Sequence, residues 1–140
     1  MNKLPLIGRI IIALFLIFFG LGHFSQLSDM AKSIPAWLPG AKFWVIFTGI
    51  CMIAAGVGIA LNKFSPYAYL GFALLILAFN LSMHIPAMIS TPEALAQNLG
   101  KHVDAGFFIK QMNTVVTMMN FLIIGMSIAL AGHVNKEHNS

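Results

Sequence analysis

The sequence predicts an all-α membrane protein, an up-and-down bundle of four transmembrane helices, on the strength of three observations. Hydrophobic residues make up 59% of the 140 residues and charged residues 9%, and the mean hydropathy is +0.86, far above that of soluble domains. Four apolar runs each provide the roughly 20 residues that cross a hydrocarbon core of about 30 Å. Short links join them, as expected for antiparallel neighbours. We therefore expect a single transmembrane domain over residues 1–140.

The predicted spans follow the four apolar runs in chain order. The first run contains IIALFLIFFGLG, and the other three carry no Asp, Glu, Lys or Arg. A cleavable signal peptide is the alternative for the first run, because Lys3 and Arg9 precede its apolar core, although that core is long for such a peptide. We predict helices over about 4–24, 43–61, 67–89 and 112–132.

The links are predicted to lie at the membrane surface. Residues 25–42 and 90–111 form the two longer, interfacial loops, and residues 62–66 form a tight hairpin. In the second loop, Thr91 is placed to cap a short helix that begins at Pro92 and ends near Gly100. Aromatic side chains beside the span ends predict an interfacial belt. They are Trp37, Trp44, Tyr67 and Tyr69.

The up-and-down bundle places both termini and residues 62–66 on one side of the membrane, and charge gives only a weak orientation. Four Lys or Arg residues lie on the side of the termini and the hairpin, and four lie on the side of the long loops, so the positive-inside rule gives a tie. Acidic residues on the long-loop side favour cytoplasmic termini. The net charge of +4 indicates contact with anionic lipids, and no basic run suggests nucleic acid. The single cysteine, Cys51, allows no internal disulfide.

Polar residues follow helical spacing on three of the spans. On the fourth span, intervals of four and three residues predict a polar stripe that should face protein. The same intervals on the first span predict one shared face, and Asn80 and His84 are neighbours on the third. The stripe is Asn113, Thr117, Asn120, Ile124 and Ser127, and the first-span face is Arg9, Ala13, Leu16, Gly20 and His23.

Antiparallel connectivity predicts a ligand-binding pocket at the long-loop end. Trp37 and Trp44 are expected near its mouth, and Arg9 belongs to the site from the opposite end of the bundle. Pro86 is expected to bend or end the third span and to free carbonyls near Ser82. The predicted pocket is lined by His23, Thr48, Asn80, His84, Asn113 and Thr117.

Each of these residues also has a structural interpretation. Asn, Ser and Thr commonly join membrane helices by hydrogen bonds, and Arg9 is close enough to the first span's start to reach lipid headgroups. Small residues on the second span predict close helix packing through the pairs Ala54/Gly58 and Gly56/Ala60. Two histidines at one depth also leave haem ligation open. A copper site would draw on His84, Met83 or Met88, Met30 and Cys51.

The order of several short motifs resembles the DoxX family of small four-helix membrane proteins, over roughly residues 5–132. The motifs are Arg9, GLGHF at 20–24, Met30, IPAWLP, TG and AGVG in the second span, and HIP closing the third. The resemblance implies a bacterial inner-membrane protein associated with quinone-linked oxidoreductases, notably for thiosulfate, or with redox-stress partners, and more distant relatives act as assembly chaperones. Recurrent family positions are matched by Arg9, Gly20, His23, Gly49 and His84.

One departure from the family limits the chemistry. Many relatives carry a glutamate where this chain has Met52, so proton handling by that carboxylate is not expected here. His23 and His84 are then the groups suited to proton exchange with a quinone. No catalytic residue and no metal site is predicted.

Three functions follow. The first is a membrane subunit or binding module of a quinone-linked redox complex, with a redox or sulfur-metabolism protein as partner. The second is an assembly or scaffold protein, and the third is a small transporter, although no inverted repeat is found. For the redox function, we do not expect independent enzyme activity. No tightly bound cofactor is expected, and a quinone is the ligand considered. Self-association into a homo-oligomer stays open.

Overall fold

The computed structural model describes residues 4–32, 34, 38–62, 64–98 and 103–138, and these form helices joined by short turns. Four stretches are long and apolar enough to cross a membrane: Pro5–Ser25, Ala41–Leu61, Ser65–Ile89 and Phe108–Val134. The predicted fold class, an all-α multi-pass membrane protein with four long helices, is confirmed. The helices are α1 (Leu4–Ser25), α2 (Leu27–Lys32), α3 (Ala41–Leu61), α4 (Ser65–Phe79), α5 (Ile85–Ile89), α6 (Pro92–Asn98) and α7 (Val103–His138).

A π-helical turn, Asn80–His84, joins α4 to α5 and keeps the third span continuous. The amide of Ile85 donates to the carbonyl of Asn80, five residues back, instead of the usual four. Proline has no N–H to donate, and its ring crowds the preceding turn of an α-helix. The wider turn just before Pro86 accommodates that ring. The expectation that Pro86 would bend or end the span is therefore met by a local π turn, and the helix continues to Ile89.

The fourth long helix begins earlier than its hydrophobic run. Residues 103–111, predicted as loop, are the first turns of α7, against which α6 packs. Gly106 lies directly against the backbone of Pro92, where a Cβ would find no room. The predicted cap is present, because the Ala94 amide donates to Thr91 Oγ1 at 3.2 Å. The helical contact with α6 explains why polar residues before the apolar run are helical.

Close contact between α1 and α3 depends on three glycines. A Cβ on Gly56 would lie 2.8 Å from the Ala13 carbonyl, and a Cβ on Gly20 would lie 2.9 Å from the Gly49 carbonyl. Small residues at these positions let the two backbones approach. Of the small residues predicted to allow close helix packing, Gly56 contacts α1 and Gly58 approaches Ala68 of α4, whereas Ala54 is exposed. The first-span face is confirmed as the packing face, with Ala13 and Gly20 buried on it.

The bundle is open on one side. Helix α1 packs on α3, α3 on α4, and α4 on α7, whereas the described parts of α1 and α7 share no extensive contact. The buried core therefore lies along α3 and α4, between the two outer helices. It consists of Ala13, Leu16, Met52, Ile59, Tyr69, Phe72, Ala131 and Val134.

Candidate functional site

Five polar residues lie in two adjacent hydrogen-bonded groups between the third span and α7. Asn80 is fully buried, and its Nδ2 donates to the Thr117 carbonyl at 3.4 Å. Its Oδ1 accepts from Asn120 Nδ2 at 3.0 Å. One turn away, His84 Nδ1 lies 2.9 Å from Asn113 Oδ1. We call these residues the Asn80 cluster, and they confirm that the α7 stripe faces protein.

The π turn carries both third-span members of the cluster at its two ends. Asn80 opens the turn and His84 closes it, so the backbone irregularity occurs where the span contacts α7 most closely through polar groups. Asn113 Nδ2 donates to the Ile109 carbonyl, which leaves Oδ1 as an acceptor for the histidine. His84 Nδ1 therefore carries a proton, and its Nε2 is the acceptor in the neutral ring.

The structure divides the predicted pocket residues into two groups. Asn80, His84, Asn113 and Thr117 meet in the Asn80 cluster, as their shared depth predicted. His23 and Thr48 do not join them through hydrogen bonds, since each bonds to its own helix. His23 Nδ1 donates to the Phe19 carbonyl at 2.8 Å, and Thr48 Oγ1 donates to the Trp44 carbonyl at 2.7 Å. A ligand-binding role for these residues stays a prediction.

The histidines are separated because α1 packs against α3 and not against the third span's end. Equal depth in an antiparallel bundle does not make two helices neighbours. Trp44, expected at the pocket mouth, donates from its indole to the Pro39 carbonyl at 3.0 Å. Trp37, its predicted companion, lies outside the described residues.

An apolar cleft of about 420 Å³ lies between α1 and α7, on the open side of the bundle. Because it runs along the flanks of membrane-spanning helices, it faces the lipid. None of the seven predicted site residues lines it. Its walls are Ile11, Ile12, Phe15, Leu16 and Phe19 of α1 with Val116, Met119, Asn120, Ile123, Met126, Ser127 and Leu130 of α7, and its floor is Met52, Tyr69, Phe72 and Ile76.

Three polar side chains interrupt the apolar lining. Asn120 links the cleft to the Asn80 cluster, and Ser127 lies two turns further along α7, toward the end of the bundle where α3 ends and α4 begins. Tyr69 was predicted for the interfacial belt, but its residue is only 3% exposed and it forms part of the floor. The stripe periodicity had indicated Asn120 and Ser127 as buried residues. It could not indicate the cleft, which exists because α1 and α7 do not close the bundle.

Arg9 lies beside the same end of the cleft. It is half-buried, and its Nε atom is fully buried without a hydrogen-bond partner in the structure. Its charge is close enough to Tyr69 for a Coulombic interaction. Arg9 therefore belongs partly to the bundle interior, and its buried Nε does not fit a side chain that only reaches outward to headgroups.

Replacing Thr117 by valine is expected to leave the free energy of unfolding unchanged or to raise it by up to about 1 kcal/mol. The Thr117 hydroxyl is buried and unpaired, and only its backbone carbonyl serves the Asn80 cluster. Valine keeps the shape and removes a polar group that has lost its water. Denaturation in mixed micelles would measure this, and a clear loss of stability would mean that the hydroxyl has a partner in the membrane.

Metal chemistry has limited support in the described part of the chain. No group of three or more His, Cys, Asp or Glu side chains converges there. The proposed copper ligand Cys51 is half-buried on α3. The two histidines considered for haem lie on helices that are not packed together, and each Nδ1 is engaged in a hydrogen bond.

Comparison with curated proteins gave no match, and comparison with solved structures gave none either. A family match covers residues 12–117, from within α1 into α7, and it includes every member of the Asn80 cluster except Asn120. This stretch includes the whole floor of the cleft and its α1 wall except Ile11, but only Val116 of its α7 wall. The chain belongs to the family described as "Domain of unknown function (DUF8561)".

Proposed function

We propose that this protein is the membrane binding module of a quinone-linked redox complex and that it holds a quinone-like lipid in the cleft between α1 and α7. The observation that carries the proposal is the cleft itself, an apolar space facing lipid with a few polar groups on its walls. Its volume of about 420 Å³ suits a ring with part of an attached chain. The polar groups provide orientation, and the apolar walls provide most of the contact.

The redox setting is supported by the resemblance to the DoxX family, including its bacterial inner-membrane location. We include cytoplasmic termini in the proposal, because the acidic residues on the long-loop side favour them. His23 and His84 do not line the cleft, so the module is proposed to position the ligand while a partner protein performs electron and proton transfer. This agrees with a protein that has no independent enzyme activity.

The test is to fill the cleft and measure binding of decylubiquinone to the detergent-purified protein by equilibrium dialysis. Ile123 lines the cleft, and replacing it by tryptophan should weaken binding by about tenfold or more because the larger ring occupies the ligand's space. Leu122 is the matched control, since it is the next residue of α7, is 65% exposed and lies outside the lining. Leu122→Trp should bind like the unaltered protein.

Equal binding by both variants would place the ligand elsewhere, and no saturable binding by the unaltered protein would overturn the proposal. In that event the assembly or scaffold function is the better candidate. A specific observation favours it: His84 is held by Asn113, whose own amide donates to the Ile109 carbonyl, as a purely structural histidine would be. His84→Ala would then weaken the contact with α7 and leave no ligand-binding effect.

A further inference from the structure

A buried, unpartnered donor lies beside the end of the cleft where α1 and α4 begin. Arg9 Nε is excluded from solvent and has no hydrogen-bond partner in the structure. A charged donor in a low-dielectric interior is strongly disfavoured unless an acceptor meets it. No Asp or Glu lies within any of the four spans, so the spans supply no acidic side chain to pair with Arg9.

The cleft leads to this donor. Ile12 and Leu16, one and two turns beyond Arg9 on α1, line the α1 wall. Tyr69 lies within Coulombic range of Arg9 and forms the floor at the same end. Tyr69 is itself only 3% exposed, so a second side chain that can donate a hydrogen bond is buried at this end of the apolar cleft.

We infer that Arg9 and Tyr69 form the polar head subsite of the cleft and select membrane-soluble ligands that carry an oxygen acceptor at one end of an apolar chain. This inference rests on the proposed binding function and adds the ligand's orientation and chemical class. The acceptor, a quinone carbonyl or a fatty-acid carboxylate, lies toward Arg9, and the chain extends along α1 and α7 toward Phe19 and Val116. A charged donor gives the stronger hydrogen bond to such an oxygen.

The experiment compares three probes of equal chain length on the purified protein: decylubiquinone, decanoate and decylbenzene, the last without an oxygen. Replacing Arg9 by methionine should weaken decylubiquinone binding on the order of tenfold, the effect of losing one hydrogen bond to a charged group. Decylbenzene binding should stay unchanged, because the apolar walls are intact. Tyr69→Phe should weaken decylubiquinone binding less, since it removes a neutral donor.

The controls separate the possible sources of failure. Lys42→Met removes a cation at the opposite end of the bundle, where α3 begins, and should alter none of the three affinities. A tenfold loss for decanoate but not for decylubiquinone would identify a carboxylate as the acceptor and support the subsite. Equal binding of both decylubiquinone and decanoate by the unaltered protein and Arg9→Met would overturn the subsite while leaving the cleft's function standing. No saturable binding of any probe to the unaltered protein would overturn the proposed function and the subsite with it.

Discussion

Replacing Gly56 by alanine is expected to lower the free energy of unfolding by about 3 kcal/mol, the largest effect among our predictions. The added Cβ would lie 2.8 Å from the Ala13 carbonyl oxygen and 2.8 Å from Ile17 Cγ1. A backbone oxygen on a packed helix cannot rotate away as a side chain can, so α1 must shift relative to α3. Overpacking of this kind costs about 1–3 kcal/mol, with the upper value where backbone must move.

Gly22→Ala is the matched control, because Gly22 lies on α1 and a Cβ there meets nothing within 4 Å. Alanine is favoured over glycine in a helix by about 1 kcal/mol, so this variant should be as stable as the unaltered protein or more so. Denaturation in mixed micelles, followed by helical circular dichroism, would compare the two. Similar stabilities for Gly56→Ala and Gly22→Ala would show that α1 and α3 are not in close contact in the membrane.

Replacing Asn80 by leucine is expected to lower the free energy of unfolding by about 2 kcal/mol. Leucine has a similar volume but offers no partner to Asn120, whose amide then stays buried without its acceptor. Leaving a buried polar group unpaired costs about 1–3 kcal/mol. The loss exceeds the smaller value typical of hydrogen bonds between membrane helices, because the Asn80 side chain is fully buried and bonded at both ends.

A double-mutant cycle tests the cause of that loss. If the unpaired Asn120 amide is responsible, Asn80→Leu combined with Asn120→Leu should be less destabilised than the sum of the single variants, because the second change removes the orphaned group. Simple additivity would contradict this account and would assign the effect to packing. Thr117→Val provides the comparison at a cluster residue whose side chain has no partner.

Much of the fold could be predicted from local sequence. The apolar runs are long enough to cross a bilayer, and Thr91 could be recognised as the cap of the short interfacial helix, because these signals act within a few residues. The hairpin predicted over 62–66 is shorter in the structure, since α4 begins at Ser65. Asn62 has the left-handed conformation that closes α3. The start of α7 was less predictable, since residues 103–111 are helical through packing against α6 and not through their own hydropathy.

The candidate site was predicted only in part, for the same reason. Periodicity placed Asn113, Thr117 and Asn120 on one face of α7. Antiparallel connectivity placed Asn80 and His84 at the same membrane depth as that face, so the Asn80 cluster could be predicted from the sequence. The membrane depth of a residue and the helix face on which it lies do not determine which helices are in contact. His23 was therefore grouped with His84, although its helix packs against α3.

The sequence by itself determined the fold class, the four spans and the polar stripe of α7, because length, hydropathy and helical period are properties of contiguous residues. Only the tertiary structure decided that α1 packs closely on the glycines of α3, with a cleft between α1 and α7. It also decided that Tyr69, predicted for the interfacial belt, forms part of the floor of that cleft, with Arg9 nearby. The physical reason is that helix neighbours are chosen by how closely whole surfaces fit, a property of pairs of distant segments that no local pattern encodes.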